Sequence, residues 1–198
     1  MKPQNQKTVK KLTTVAMLTA VAVALQYIEV PIPLMPSFIK LDFSDLPELI
    51  ASFMFGPLAG VLVAFLKNII HLAVSQSGFI GELSNFIIGA AFALVAGLIY
   101  KKMPNIKGAL IAGVVAAGVS GIISLPVNNY IIYPLYYSVM GFPKEAILGM
   151  YQIIRPSTKS IAEALLVFNV PFTIIKNLIS VVVTLMIFKP LVTITKKL

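Results

Sequence analysis

Ile39–Gly60 reads IKLDFSDLPELIASFMFGPLAG, with Asp42, Asp45 and Glu48 in front of an apolar run that Gly56 and Pro57 cut off after about ten residues. Ten residues of helix rise about 15 Å, half the roughly 30 Å thickness of a bilayer's hydrocarbon core. Hydropathy alone would merge this run with the next one or discard it. Its status decides how many times the chain crosses a membrane.

The rest of the chain leaves little doubt about the solvent. Of 198 residues, 58% are hydrophobic and 12% charged, far from the usual mix of a soluble domain. Apolar runs fall at about 12–28, 46–55, 57–76, 83–100, 108–137 and 162–188. The expectation is an all-α integral membrane protein, a single domain over residues 1–198. The basic excess lies beside the apolar runs, where it sets topology and meets anionic headgroups rather than nucleic acid. Lys2–Lys11 ahead of the first run has the flavour of a signal peptide, but Pro31, Pro33 and Pro36 follow in place of a small-residue cleavage site, so an uncleaved first helix is expected. With no cysteine and one histidine, neither thiol chemistry nor a multi-histidine metal site is available.

Charge settles the count of passes. Lys2, Lys7, Lys10 and Lys11, then Lys101, Lys102 and Lys107, then Lys189, Lys196 and Lys197 hold ten of the sixteen cations. The positive-inside tendency assigns all three clusters to the cytoplasm. An even number of crossings must then separate the first two clusters, so 46–76 crosses twice or not at all. A turn at Gly56, with Pro57 opening the next helix where its missing N–H is not needed, allows two. Six transmembrane helices result, with a short second helix and both the amino and carboxyl termini cytoplasmic. Glu29, Asp42, Asp45, Glu48, Glu82, Glu145 and Glu163 all then fall at or near the outer side. Asp42 or Asp45 is expected as N-cap of the second helix, with Glu48 in its first turn, where carboxylates suit the helix dipole.

Polar groups inside the apolar runs mark candidate sites, because an ionisable side chain in lipid is costly unless it faces a polar interior. Lys67 lies mid-way along the third helix beside Asn68, with His71 a turn on. His71 reads as a packed or interfacial histidine. Lys176 lies near the centre of the sixth, with Asn169, Thr173 and Ser180 spaced to share its face. Pairing of either lysine with Glu48 or Glu82 for structure alone is the competing account. Glu82, Ser84 and Asn85 open the fourth helix, and Pro126 with Asn128 and Asn129 interrupts the fifth. Tyr130, Tyr133, Tyr136 and Tyr137 beyond it suit an interfacial aromatic belt. Ala16, Ala20 and Ala24 form a smooth stripe on the first helix against which another helix can pack.

No phosphate-cradling GxxxxGK[ST] loop, nucleophile elbow, HExxH or paired-aspartate metal motif is present. A polar pocket open to the outside without catalytic machinery points to capture of a small solute, not to an enzyme. The run KLDFSDLPELIASFMFGPLAGVLVAFLKN from Lys40 to Asn68 then resembles the signature of the riboflavin-specific substrate-capture (S) components of energy-coupling factor (ECF) transporters. GELSNFIIGAAF at Gly81–Phe92, the Asn128–Pro134–Tyr136 spacing and PFTIIKN at Pro171–Asn177 follow in the same order.

The resemblance implies a six-helix subunit in a bacterial cell membrane that binds riboflavin from outside. Two ATPases and a transmembrane coupling (T) protein would energise it; ATP is used only by these partners, and no cofactor is implied. Ala16, Ala20 and Ala24 would dock on the coupling protein. The loop between the first two helices would close over the vitamin, bringing Leu41, Asp42 and Phe43 near it, with Asp42 at the lid or the ribityl hydroxyls and Phe43 over the ring. Asn128 and Lys176 would donate to the ring edge, and Lys67, Asn85, Asn169 and Thr173 complete the expected substrate-binding set. One departure stands out: the family reads Pro-Phe-Asn where this chain has Pro171, Phe172 and Thr173. A hydroxyl lacks an amide's two donors and carbonyl. Asn169, one turn earlier, is the natural compensation, and pyridoxine or a pyrimidine precursor is the competing ligand. A self-sufficient proton-coupled transporter using Lys67, His71 or Glu48 is the competing mechanism, disfavoured by the lack of an internal repeat.

Overall fold

The computed structural model describes the backbone of residues 3–197 and the side chains of residues 6–193. Lys2 and the side chains of Lys196 and Lys197, used above to orient the termini, lie outside the described residues. The chain is helical nearly throughout. Helix α1 (Pro3–Tyr27) leads through a two-residue antiparallel ladder, β1 (Val30–Pro31) with β2 (Lys40–Leu41), to α2 (Asp45–Phe55) and α3 (Pro57–His71). Helices α4 (Ile80–Lys102) and α5 (Ile106–Val127) follow, then short α6 (Tyr133–Ser138), peripheral α7 (Lys144–Ile154), α8 (Ile161–Ala164), α9 (Val170–Met186) and α10 (Phe188–Lys197).

Among the described residues, five stretches are long and apolar enough to cross a membrane: Gln6–Tyr27, Pro57–Val74, Ile80–Lys102, Ile106–Ser138 and Ile161–Met186. The 11-residue α2 is too short by that measure, yet it is a separate helix. It ends at Gly56, whose φ of 92° is open to glycine at little cost, and Pro57 starts α3 at once. The Gly56–Pro57 break therefore makes a tight helical hairpin.

Two expectations about helix ends are corrected. The N-cap of α2 is Ser44, and its side chain makes no capping bond. Glu48 does stand in the first turn of α2, as does Asp45, but both are buried, where they meet cations from other helices. Pro126 does not interrupt α5, which runs through it to Val127. The irregularity comes later, as a π-helical turn over Asn128–Ile132, and a second π turn spans Leu165–Asn169. Each ends two residues before a proline, Pro134 and Pro171. A proline lacks the N–H for the carbonyl four residues back, and its ring crowds that carbonyl. One extra residue in the turn moves the carbonyl aside.

Helix α4 packs against α2, α3 and α5, and α5 packs in turn against α9. Small residues allow these approaches: Ala93, Ala96, Ala112, Ala116 and Ala117 are fully buried, as expected where helices associate in lipid through close backbone contact. The opposite faces carry exposed Leu58, Leu62, Leu98, Ile122, Val182 and Met186. A Cβ on Gly97 would lie 2.6 Å from the Pro57 Cα. Gly97→Ala is therefore expected to push α4 off the hairpin and cost about 1–3 kcal/mol, read as a lower thermal midpoint of the purified protein. An unchanged midpoint would show that the α3–α4 contact yields freely.

Candidate functional site

A cavity of about 520 Å³ opens beneath the loop that joins α1 to α2, within the range of pockets that hold drug-sized molecules. Its aromatic walls come from Phe38 of the loop, Tyr133 and Tyr136, and Phe172 of α9. Its polar walls come from Asn85 and Glu82 of α4, Asn128 and Asn169 of the two π turns, and Thr173, Lys176 and Asn177 of α9. Both π turns thus deliver an asparagine to the same cavity.

Charged groups gather at one side. Lys176 Nζ lies 2.9 Å from Asp42 Oδ2 and 3.0 Å from Asp45 Oδ2. Behind them, and off the cavity wall, Lys67 Nζ lies 2.6 Å from Glu48 Oε1 and 3.1 Å from Asp45 Oδ1, and it donates to Ser44 Oγ. Lys67 and Glu48 are wholly buried. Ser44 donates from both its backbone N–H and its hydroxyl to Asp42 Oδ1. Burial alone would raise the Asp42 carboxyl, but the Lys176 and Lys67 ammoniums and the Ser44 hydroxyl outweigh it and hold it well below the usual carboxylate range. Three carboxylates and two ammoniums thereby join the loop, α2, α3 and α9 into one network.

The oxygens of two of these amides are engaged by hydroxyls. Ser84 Oγ donates to Asn128 Oδ1 at 3.2 Å, and Tyr151 Oη donates to Asn169 Oδ1 at 2.7 Å. Tyr133 and Tyr151 share a hydrogen bond, and Asn169 Nδ2 reaches the Tyr133 hydroxyl at 3.4 Å. Because each carbonyl is already taken by a hydroxyl, each amide has N–H left to offer. At the mouth, Glu82 accepts from Ser75 at 2.8 Å and Ser77 at 3.1 Å and pairs with His71 Nδ1 at 2.9 Å. Tyr27 packs on the His71 ring with centroids 5.3 Å apart.

Of the residues singled out from the sequence, Asp42, Asn85, Asn128, Asn169, Thr173 and Lys176 line the cavity. Leu41, Phe43 and Lys67 do not: Leu41 pairs with Val30 in the ladder, the Phe43 carbonyl accepts from the Leu46 N–H, and Lys67 stands behind the acids. Phe38, missed in the sequence, takes the aromatic place in the loop. Its ring sits 5.9 to 6.5 Å from those of Tyr133, Tyr136 and Tyr151. The belt reading fits Tyr130, which is 76% exposed, but not Tyr133 and Tyr136. Ser180 faces inward yet bonds the Lys176 carbonyl at 3.4 Å, beyond the cavity. Ala16, Ala20 and Ala24 are exposed, while Val15, Thr19, Ala22 and Gln26 form the buried face of α1.

Residues 10–188 match the family model described as ECF transporter, substrate-specific component. The riboflavin transporter RibU of Staphylococcus aureus (strain TCH60) is 34% identical over 98% of this chain and 96% of its own length. The riboflavin transporter FmnP of Bacillus subtilis (strain 168) is 31% identical over 91% of this chain and 90% of its own. A solved structure described as the S component of a bacterial ECF transporter superposes with a TM-score of 0.74 at 33% identity, covering 96% of this chain and 99% of that one. The match spans the loop, the hairpin and both π turns that build the cavity, and on it this chain belongs to the substrate-specific components of ECF transporters.

Proposed function

We propose that this chain captures riboflavin from outside the cell as the substrate-binding subunit of an ATP-driven ECF transporter. In this reading residues 1–198 form one domain of six transmembrane helices, with α2 and α3 as a hairpin of two passes and both termini cytoplasmic, in a bacterial cell membrane. The observation that carries it is the pairing of amide donors with aromatic walls in one cavity. Asn128 and Asn169 keep N–H groups for ring carbonyls and nitrogens, and Phe38, Tyr136 and Phe172 offer faces for a flat heterocycle. The names of the relatives from Staphylococcus and Bacillus support the same ligand.

Asn169 supplies the amide that Thr173 lacks, and Lys176 donates to the ring edge while it holds Asp42. Asn85 and Thr173 complete the wall. The loop from Tyr27 to Ser44 is the lid, fastened by Asp42 on Lys176 and by Phe38 among the tyrosines. The exposed Ala16, Ala20 and Ala24 dock on the transmembrane coupling subunit, through which two ATPases drive turnover.

The chain purified alone in detergent is expected to carry a yellow flavin chromophore, or to quench added riboflavin fluorescence in proportion to the protein present. A colourless preparation that quenches nothing overturns the flavin assignment. If pyridoxine or a pyrimidine precursor binds instead, the subunit reading stands with another vitamin.

A further inference from the structure

We propose that Gln26 of α1 reads a hydroxyl of the bound molecule, acting as a fixed acceptor in the cavity wall. This assignment rests on the flavin reading above and deepens it by naming the group that meets the ligand's polyol chain.

The polarity follows from a chain of hydrogen bonds with one possible direction. The Ala64 carbonyl can only accept, so the Asn68 amide group that bonds it at 2.8 Å is the Nδ2 donor. Asn68 Oδ1 must therefore accept, and Gln26 supplies its Nε2 at 3.1 Å. That leaves Gln26 Oε1 as the acceptor end of the amide. Gln26 is 3% exposed and belongs to the cavity wall, and Oε1 has no donor among the described residues. A buried carbonyl without a donor is destabilising, and turning the amide over would sacrifice the bond to Asn68 as well.

The neighbours sharpen the chemistry. Tyr27, the next residue in the chain, packs on the His71 ring at a tilt of 54°, and the Glu82 carboxylate is already engaged by His71, Ser75 and Ser77. The α1 side of the cavity thus offers an acceptor in Gln26 Oε1, whereas the α5–α9 wall offers the N–H groups of Asn128 and Asn169. A molecule with hydroxyl donors at one end and carbonyl acceptors at the other suits both walls in one orientation. A ring carbonyl turned toward Gln26 would face another carbonyl.

Gln26→Met keeps the length of the side chain and removes the acceptor. The purified protein is titrated, by fluorescence quenching, with riboflavin and with lumiflavin, which carries a methyl group in place of the polyol. Riboflavin affinity is expected to fall about 5- to 10-fold while lumiflavin changes by less than about twofold. An equal loss for both ligands overturns the proposal, since Gln26 would then only brace α1 on α3, and so does no loss for either. Should Gln26→Met fail to fold, Asn68→Leu frees the glutamine amide to turn, and the preference for riboflavin over lumiflavin is expected to shrink; an unchanged preference overturns the proposal too. If the unsubstituted protein binds neither flavin, the reading beneath it fails first.

Discussion

Lys176→Met is expected to lower riboflavin affinity about 10- to 100-fold, on the order of 1.5–3 kcal/mol. The ammonium stands between two carboxylates, 2.9 Å from Asp42 and 3.0 Å from Asp45, at the edge of the cavity. On the proposed reading its removal does two things: it takes a donor from the ring edge, and it leaves Asp42 of the α1–α2 loop without its cation. A second variant separates them. Asp42→Asn loosens the lid but leaves Lys176 charged and paired to Asp45, so it should weaken binding less. If Lys176 acts through the lid alone, the two variants lose equally and combining them costs nothing more. Affinity equal to that of the unsubstituted protein would remove Lys176 from the site.

Lys67→Met is expected to be the most destabilising single change in the cavity's support, at about 3–5 kcal/mol. No water reaches Lys67, and its ammonium is the close cation for Glu48, which is equally buried, at 2.6 Å. Without it an uncompensated carboxylate remains among α2, α3 and α4, while Asp45 still has Lys176. The thermal midpoint of the detergent-purified protein reads the loss. Glu48→Gln in the same chain removes the orphaned charge, so the double variant should recover much of it. A Lys67→Met protein as stable as the original would show that water or local rearrangement takes over from the ammonium.

The helices were legible because lipid imposes long apolar runs and punctuates them with Gly, Pro and Lys, and the hairpin at Gly56 and Pro57 follows from those rules. The role of Asp45 was not, and the pairing of Glu48 with Lys67 stood only as a competing account. In sequence both look like helix-opening carboxylates, and the approach of α3 and α9 places their partners 22, 19 and 131 positions away. Phe38 escaped notice because a loop phenylalanine has no periodicity to place it. Tyr133 and Tyr136 continue a three-residue spacing from exposed Tyr130, and the widened turn just before them decides which way they face. Gln26, at the end of an apolar run, reads as the polar fringe of a membrane helix until Asn68 fixes its direction.

The paired π turns also have a meaning for chain length. Deleting one residue from either would let the helix resume its normal winding with the helix beyond still in register, because the widened turn is what absorbs the extra residue, and only the side chains of the turn would change direction. Asparagines 128 and 169 are thus aimed by a residue count as much as by their own chemistry. A lineage with this scaffold can redirect a recognition surface through a single codon gained or lost, while the alanine-rich seams between α4 and α5 stay in register.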